Sequence, residues 1–70
     1  MPSTADARAQ ALAKLEEAIG RSEQAITRQL IAIAALERNG QDARHAHELL
    51  RVAEDHLSAA HTARKRLLDG

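Results

Sequence analysis

Large aliphatic residues at a seven-residue spacing restrict the fold of this chain more than any other feature of its sequence. One row consists of Leu12, Ile19, Ile26 and Ile33. A second row, three positions later, consists of Leu15, Ser22, Gln29 and Leu36, and Leu30 widens the apolar stripe. Two rows at alternating spacings of three and four residues lie on one face of an α-helix. The pattern therefore predicts one long helix, from about residue 4 to residue 38, that packs against other helices.

A turn is predicted at Asn39-Gly40, directly after this helix. Glycine readily adopts the left-handed backbone conformation that commonly follows the last turn of a helix. Asp42 can then cap a second helix, because a carboxylate accepts backbone N–H bonds at a helix N-terminus. At the start of the chain, Ser3 and Asp6 have the spacing of a capping box. A connection this short makes the two helices antiparallel neighbours.

The second half of the chain predicts another amphipathic helix, over about residues 42–68. Its apolar seam advances by alternating steps of three and four residues, through Ala43, Ala46, Leu50, Ala53, Leu57, Ala60, Arg64 and Leu67. Leu49, Ala63 and Leu68 broaden this seam. We therefore expect an all-α fold in which residues 1–70 form a single antiparallel two-helix hairpin.

The expected core is thin, because the chain contains no Phe, Tyr or Trp, and no Cys for disulfides. Aromatic side chains supply the largest buried areas, and chains this short are marginally stable without staples or association. Two hairpins together would bury both stripes as a four-helix bundle, and two-fold dimers are the commonest oligomers. The residues predicted to form the core and the dimer interface are Leu12, Leu15, Ile19, Ile26, Leu30, Ile33, Leu36, Leu49, Leu50, Leu57 and Leu67.

The charges of the chain are balanced, with ten basic and ten acidic residues. An overall basic field that would attract nucleic acid or an anionic membrane is therefore missing. The sequence has no apolar signal region at its N-terminus, and no stretch approaches the roughly 18 apolar residues of a membrane span. We expect a soluble, cytoplasmic protein without a membrane partner.

Two features of the stripes allow more than one interpretation. Directly before the first apolar row stand Ala11, Ala18, Ala25 and Ala32. They mark a flank where another helix approaches closely, or they reflect the abundance of alanine in this chain. Ser22, Gln29 and Arg64 interrupt the apolar rows. Such polar residues fix the register of packed helices, or they lie at a wet part of the bundle, which is the interpretation we favour for Arg64.

Four histidines, His45, His47, His56 and His61, all belong to the second helix. Helical metal ligands usually stand three or four residues apart on one face, and no two of these histidines have that spacing. His47, His56 and His61 are weak candidates for a metal or haem site built across a bundle interface. Solvated histidines beside the seam are the favoured interpretation, and we expect no cofactor.

Arg64, Lys65 and Arg66 form the one basic cluster of the sequence. Such a cluster can contact phosphates. Three cations in the last turns of a helix more often stabilise that helix through its dipole, and we favour this second interpretation. A dimer of helical hairpins has the architecture of the plasmid Rop protein, which binds RNA, but no residue motif is shared. Nucleic-acid binding is therefore the second functional hypothesis.

The stretch from Ile26 to Leu68 resembles a group of short, uncharacterised alphaproteobacterial proteins of unknown function. The resemblance lies in the helix end, turn and cap, Leu36-Glu37-Arg38-Asn39-Gly40-Gln41-Asp42. It continues through Ala46, Leu49-Leu50, Glu54, His61 and Arg64 to Leu68. Members of the group more often have Asp before the turn glycine, and Arg-Asp-Arg in place of Arg64-Lys65-Arg66. The resemblance implies a small helical protein and no particular activity.

The leading hypothesis is a non-enzymatic protein–protein interaction module, a small adaptor or regulator that acts as a homodimer. The sequence shows no paired-carboxylate cleft, Gly-rich phosphate loop or Ser-His-Asp arrangement that we can place on two helices, so we expect no enzymatic activity. An unidentified protein that completes the apolar stripe is a further expected partner.

Overall fold

The computed structural model describes residues 3–70, which form two long antiparallel helices packed against each other. Helix α1 spans Thr4–Arg38 and helix α2 spans Arg44–Asp69. This confirms the predicted all-α hairpin. The molecule is elongated, with a radius of gyration of 16.4 Å. A compact domain of this length would have a radius of roughly 11 Å, so the hairpin has no globular interior.

Helix α1 begins with the capping box that Ser3 and Asp6 predict. The Asp6 backbone N–H donates to the Ser3 hydroxyl over 3.2 Å, and the Ser3 backbone N–H donates to the Asp6 carboxylate over 3.4 Å. These two bonds satisfy backbone donors that the first turn of a helix leaves without a partner. The local sequence therefore determines where α1 starts.

Helix α1 ends in a Schellman motif around Gly40. The Gln41 N–H donates to the Leu36 carbonyl over 2.8 Å, and the Gly40 N–H donates to the Glu37 carbonyl over 3.1 Å. Gly40 has a φ of 69°, the left-handed conformation that this motif requires and that favours glycine. The predicted turn at Asn39-Gly40 is confirmed.

Helix α2 begins two residues later than predicted, at Arg44, and Ala43 rather than Asp42 is its N-cap residue. The Asp42 carboxylate still accepts a backbone N–H, that of Arg44, over 3.0 Å. It also accepts from the Arg44 guanidinium, over 2.8 Å at the shortest. These bonds lower the pKa of Asp42 and raise the pKa of Arg44. The aspartate thus organises the turn before the helix.

The contact between the helices consists mainly of small side chains on α2. Ala46, Ala53 and Ala60 are buried along the seam, and Ile33 of α1 packs with Ala43 and Ala46 near the turn. Alanines let the two helix axes approach closely, but they bury little area. None of the described side chains is fully buried.

The predicted core residues differ in their burial within the hairpin. Ile33 is buried, and the half-buried ones are Leu12, Leu15, Ile19, Ile26, Leu36, Leu50, Leu57 and Leu67. Leu30 and Leu49 are 53% and 40% exposed, because they flank the seam where the other helix does not reach. The hairpin alone therefore covers only part of its apolar stripes. Neither helix of the described residues is long and apolar enough to cross a membrane.

Candidate interaction surface

Two grooves run along the hairpin, one on each side of the seam between the helices. We call them the Leu49 groove and the His61 groove, after one residue in each. Their volumes are about 430 Å³ and 460 Å³, and both lie open to solvent. Such open grooves suit contact with a surface better than enclosure of a small molecule.

The Leu49 groove combines small side chains on α1 with larger apolar ones on α2. It is lined by Ala18, Arg21, Ser22, Ala25, Gln29, Leu49, Val52, Ala53 and His56. Leu49 and Val52 are three residues apart, on neighbouring turns of α2, and are 40% and 45% exposed. Single exposed apolar residues are normal, but two adjacent ones in a groove form a candidate contact surface.

The alanine row of α1 borders this groove. Ala18 and Ala25 are half-buried and line it, and Ala32 packs against the core cluster of Ile33. The sequence left open whether the row marks a helix contact. In the structure its members lie beside the seam, on the side that carries Leu49 and Val52.

The His61 groove is more polar. It is lined by Ile26, Glu54, Leu57, Ser58, His61 and Thr62. Its apolar members, Ile26 and Leu57, are half-buried in the seam, and the exposed members are polar. Leu30, four positions after Ile26, is the large apolar side chain on this side of α1.

Of the polar residues that interrupt the seams, Arg64 has a defined partner. One of its guanidinium nitrogens lies 3.8 Å from a carboxylate oxygen of Glu16, across the two helices. Its Nε is buried and has no hydrogen-bond partner among the described residues. Ser22 and Gln29 are half-buried and face the Leu49 groove. The Arg64 side chain is 42% exposed in the hairpin, and its place at a wet part of a bundle stays a prediction.

The basic cluster at the end of α2 does not form one surface. Arg64 is half-buried in the seam, whereas Lys65 and Arg66 are exposed. Consecutive helix residues point about 100° apart, so the three cations face three directions. Their contact with nucleic acid stays a prediction.

The histidines that were metal candidates lie apart. His56 lines the Leu49 groove and His61 lines the opposite one, while His47 is exposed near the start of α2. Over residues 3–70, no group of three or more His, Cys, Asp or Glu side chains is placed to hold a metal ion. A metal or haem site across an interface stays a prediction.

Val52 is the large apolar residue of the Leu49 groove that the heptad pattern did not predict. It lies outside the alternating three-and-four pattern of α2, so the pattern assigns it to the outer surface. The available signal was its position three residues after Leu49, which already broadened the seam.

Comparison of the chain with protein-family models, with curated proteins and with solved structures finds no match. The resemblance to short alphaproteobacterial proteins stays a prediction.

Proposed function

We propose that this protein is a non-enzymatic protein–protein interaction module, a small adaptor or regulator that acts as a homodimeric four-helix bundle in the cytoplasm. One observation carries the proposal. The hairpin buries mostly alanines, whereas Leu49 and Val52 stay 40% and 45% exposed side by side. Removing such apolar side chains from water by covering them with a partner is favourable in free energy.

The free energy available from burying these two side chains in an interface is large for a chain of this size. Full burial of a leucine or valine side chain contributes about 1.5–3 kcal/mol. Because both residues are nearly half exposed, covering them in two copies contributes a few kcal/mol in total. This is comparable to the whole stability that a core of this size supplies, about 3–5 kcal/mol. Association and folding are therefore coupled in this proposal.

The open shape of both grooves supports the non-enzymatic part of the proposal. Catalytic groups act best in a desolvated site that holds the substrate on several sides. Neither groove offers such a site, since both lie open to solvent along the hairpin. The proposal is therefore contact with a macromolecular surface.

Nucleic-acid binding in the manner of Rop is the second hypothesis, and it loses support from the geometry. Arg64 lies beside Glu16, and Lys65 and Arg66 are exposed on other faces of the helix, because consecutive helix residues are about 100° apart. A phosphate-binding surface requires several cations on one side.

Native mass spectrometry on protein purified without a chelator tests the proposal. We expect a complex of about twice the 7.6 kDa chain mass, with no added mass. Bound metal, haem or nucleic acid would support one of the other hypotheses. A monomer with no bound partner at micromolar concentration would contradict the homodimer.

A further inference from the structure

We infer that the His61 groove, with its border on α1, is the docking surface for a basic amphipathic helix of a partner protein. This surface is separate from the Leu49 groove, which the proposed homodimer covers, so both can be occupied at once. Three features of the hairpin support the inference: a row of glutamates beside the groove, an apolar floor, and exposed leucines near both of its ends.

The row of glutamates lies on α1. It advances by seven residues at a time and consists of Glu16, Glu23, Leu30 and Glu37, which are all exposed. We call it the Glu23 row. Each member stands four positions after a member of the first aliphatic row of α1, in which Ile26 lines the His61 groove. Residues four apart are neighbours on a helix surface, and Ala18 and Ala25 occupy the other flank, beside the Leu49 groove. The Glu23 row is therefore the α1 border of the His61 groove.

The α2 border of the groove adds a further carboxylate. Glu54 lines the groove together with His61, which stands seven residues later. The basic residues of α2 nearest to this border, Arg51 and Lys65, are exposed on the outer side of the helix and do not line the groove. Both borders of the groove therefore present negative charge.

Most of these carboxylates have no cationic partner within the hairpin. Glu16 lies 3.8 Å from the Arg64 guanidinium. The other three form no salt bridge with any of residues 3–70, and they are Glu23, Glu37 and Glu54. Neighbours in the Glu23 row are about 10 Å apart along α1. Lysines or arginines seven residues apart on a partner helix have the same spacing and the complementary charge.

The floor of the groove is apolar, although its borders are charged. Ile26 and Leu57 form this floor and are half-buried in the seam. Leu30 and Leu68 are each 53% exposed. Leu30 belongs to the Glu23 row, and Leu68 stands seven residues after His61. A helix that docks in a groove covers such a floor with its own apolar side and leaves its charged flanks at the borders.

The two exposed leucines give the length of the partner helix. Glu16 is level with Arg64, and each step back along α1 corresponds to one step forward along the antiparallel α2. Leu68 is therefore level with Leu12, eighteen residues from Leu30. Eighteen residues of helix measure about 27 Å, or about five turns. A helix of this length contacts both leucines.

A pair of synthetic peptides provides the probe. One has about 18 residues, with leucines along a heptad seam and lysines at one flanking heptad position, and the other has glutamates in place of the lysines. Calorimetric titration of the full chain at low salt measures both affinities. We expect the lysine peptide to bind at least about tenfold more tightly, because its cations meet the Glu23 row. Equal affinities, tighter binding of the glutamate peptide, or no binding of either would overturn the inference.

The position of the bound peptide is tested by a matched pair of glutamates on α1. Glu23→Lys reverses a charge in the Glu23 row. Glu17→Lys makes the same change on the outer side of the helix, in the heptad row of the 66% exposed Ile31. We expect the first to weaken binding of the lysine peptide at least about fivefold and the second to change it less than about twofold. Equal weakening by the two variants would contradict the assigned surface.

The apolar part of the contact is tested by two neighbouring residues of similar size. Leu30→Ala and Ile31→Ala both leave the buried seam unchanged, because these side chains are 53% and 66% exposed. We expect Leu30→Ala to weaken binding of the lysine peptide at least about fivefold and Ile31→Ala to change it less than about twofold. A larger effect of Ile31→Ala would place the peptide on the outer side of α1 and overturn the choice of groove.

Native mass spectrometry of the mixture separates this inference from the proposed homodimer. We expect two lysine peptides on an intact dimer. A monomer that binds one peptide would contradict the homodimer and support the docking surface. Loss of the dimer on addition of the peptide would show that a second copy occupies the His61 groove, which would overturn the inference. So would assemblies of the protein alone that exceed a dimer and disappear in Glu23→Lys, because the groove would then take another copy of the chain.

Discussion

The two grooves of the hairpin are built from the same two helices, yet they differ in what they expose. The Leu49 groove exposes Leu49 and Val52, and the exposed side chains of the His61 groove include Glu54 and His61. The exposed side chains of both grooves lie outside the seam that holds the hairpin together, so the hairpin fold does not require them to be apolar or polar. The exposed apolar residues that line a groove therefore belong to the Leu49 groove, whereas Leu30, which is 53% exposed, lies beside the His61 groove.

Substitutions in the buried seam between the grooves should have the largest effects on the free energy of unfolding. Ile33→Ala removes a large side chain that is 7% exposed, whereas Ile31→Ala alters one that is 66% exposed. We expect the first change to lower the free energy of unfolding by about 2–4 kcal/mol and the second by less than about 0.5 kcal/mol. Urea titration followed by circular dichroism measures both. Similar losses for the two variants would mean that Ile31 is buried in the assembled protein.

The histidines sharpen the comparison of the grooves, because each groove contains one. His56→Leu would replace a polar ring in the Leu49 groove by an apolar side chain. We expect it to tighten dimerisation by about 1 kcal/mol per copy. His61→Leu is the matched control, and we expect no change if the proposed partner covers the Leu49 groove alone. Sedimentation equilibrium gives both dissociation constants; a tighter dimer from His61→Leu alone would reverse the assignment of the grooves.

Alanine substitutions at two glycines should change the free energy of unfolding by smaller amounts, through the backbone conformation. A methyl group at Gly20 would meet no atom within 4 Å, and Gly20 has ordinary helical geometry. Gly20→Ala should raise the free energy of unfolding by about 1 kcal/mol. Gly40→Ala should lower it by about 1 kcal/mol, because the φ of 69° strains an alanine. Destabilisation by Gly20→Ala would show that a partner packs on that side of α1.

The smallest expected effect is that of Asp42 in the exposed turn. The Arg44 guanidinium lowers the pKa of this carboxyl in the folded chain, so its ionised form favours folding. That contribution is present above the unfolded-state pKa and is lost as the pH falls through the lower, folded-state pKa. Asp42→Asn should therefore unfold at a slightly lower temperature than wild type at neutral pH. The difference should vanish in strong acid, and thermal unfolding across the acid range measures it. A difference that stays constant with pH would exclude the charge as its cause.

Much of the fold could be predicted from the sequence because the signals are local. The heptad rows, the capping box at Ser3 and the left-handed Gly40 each act within a few residues. The start of α2 was predicted two residues early, since Asp42 holds the turn by bonds to Arg44 while Ala43 is the N-cap. Which flanking residues stay exposed depends on the contact between helices. The heptad rows alone therefore could not predict the exposure of Val52 or the contact between Glu16 and Arg64.

The central claim is that this hairpin completes its apolar surface with a second copy of itself. It predicts that folding depends on protein concentration, because a dimer is stabilised by mass action. Thermal unfolding followed by far-ultraviolet circular dichroism, from about 1 to about 100 μM protein, measures this directly. The account predicts a midpoint that rises by several degrees across this range. A midpoint that does not change with concentration, in protein that is monomeric throughout, would contradict it.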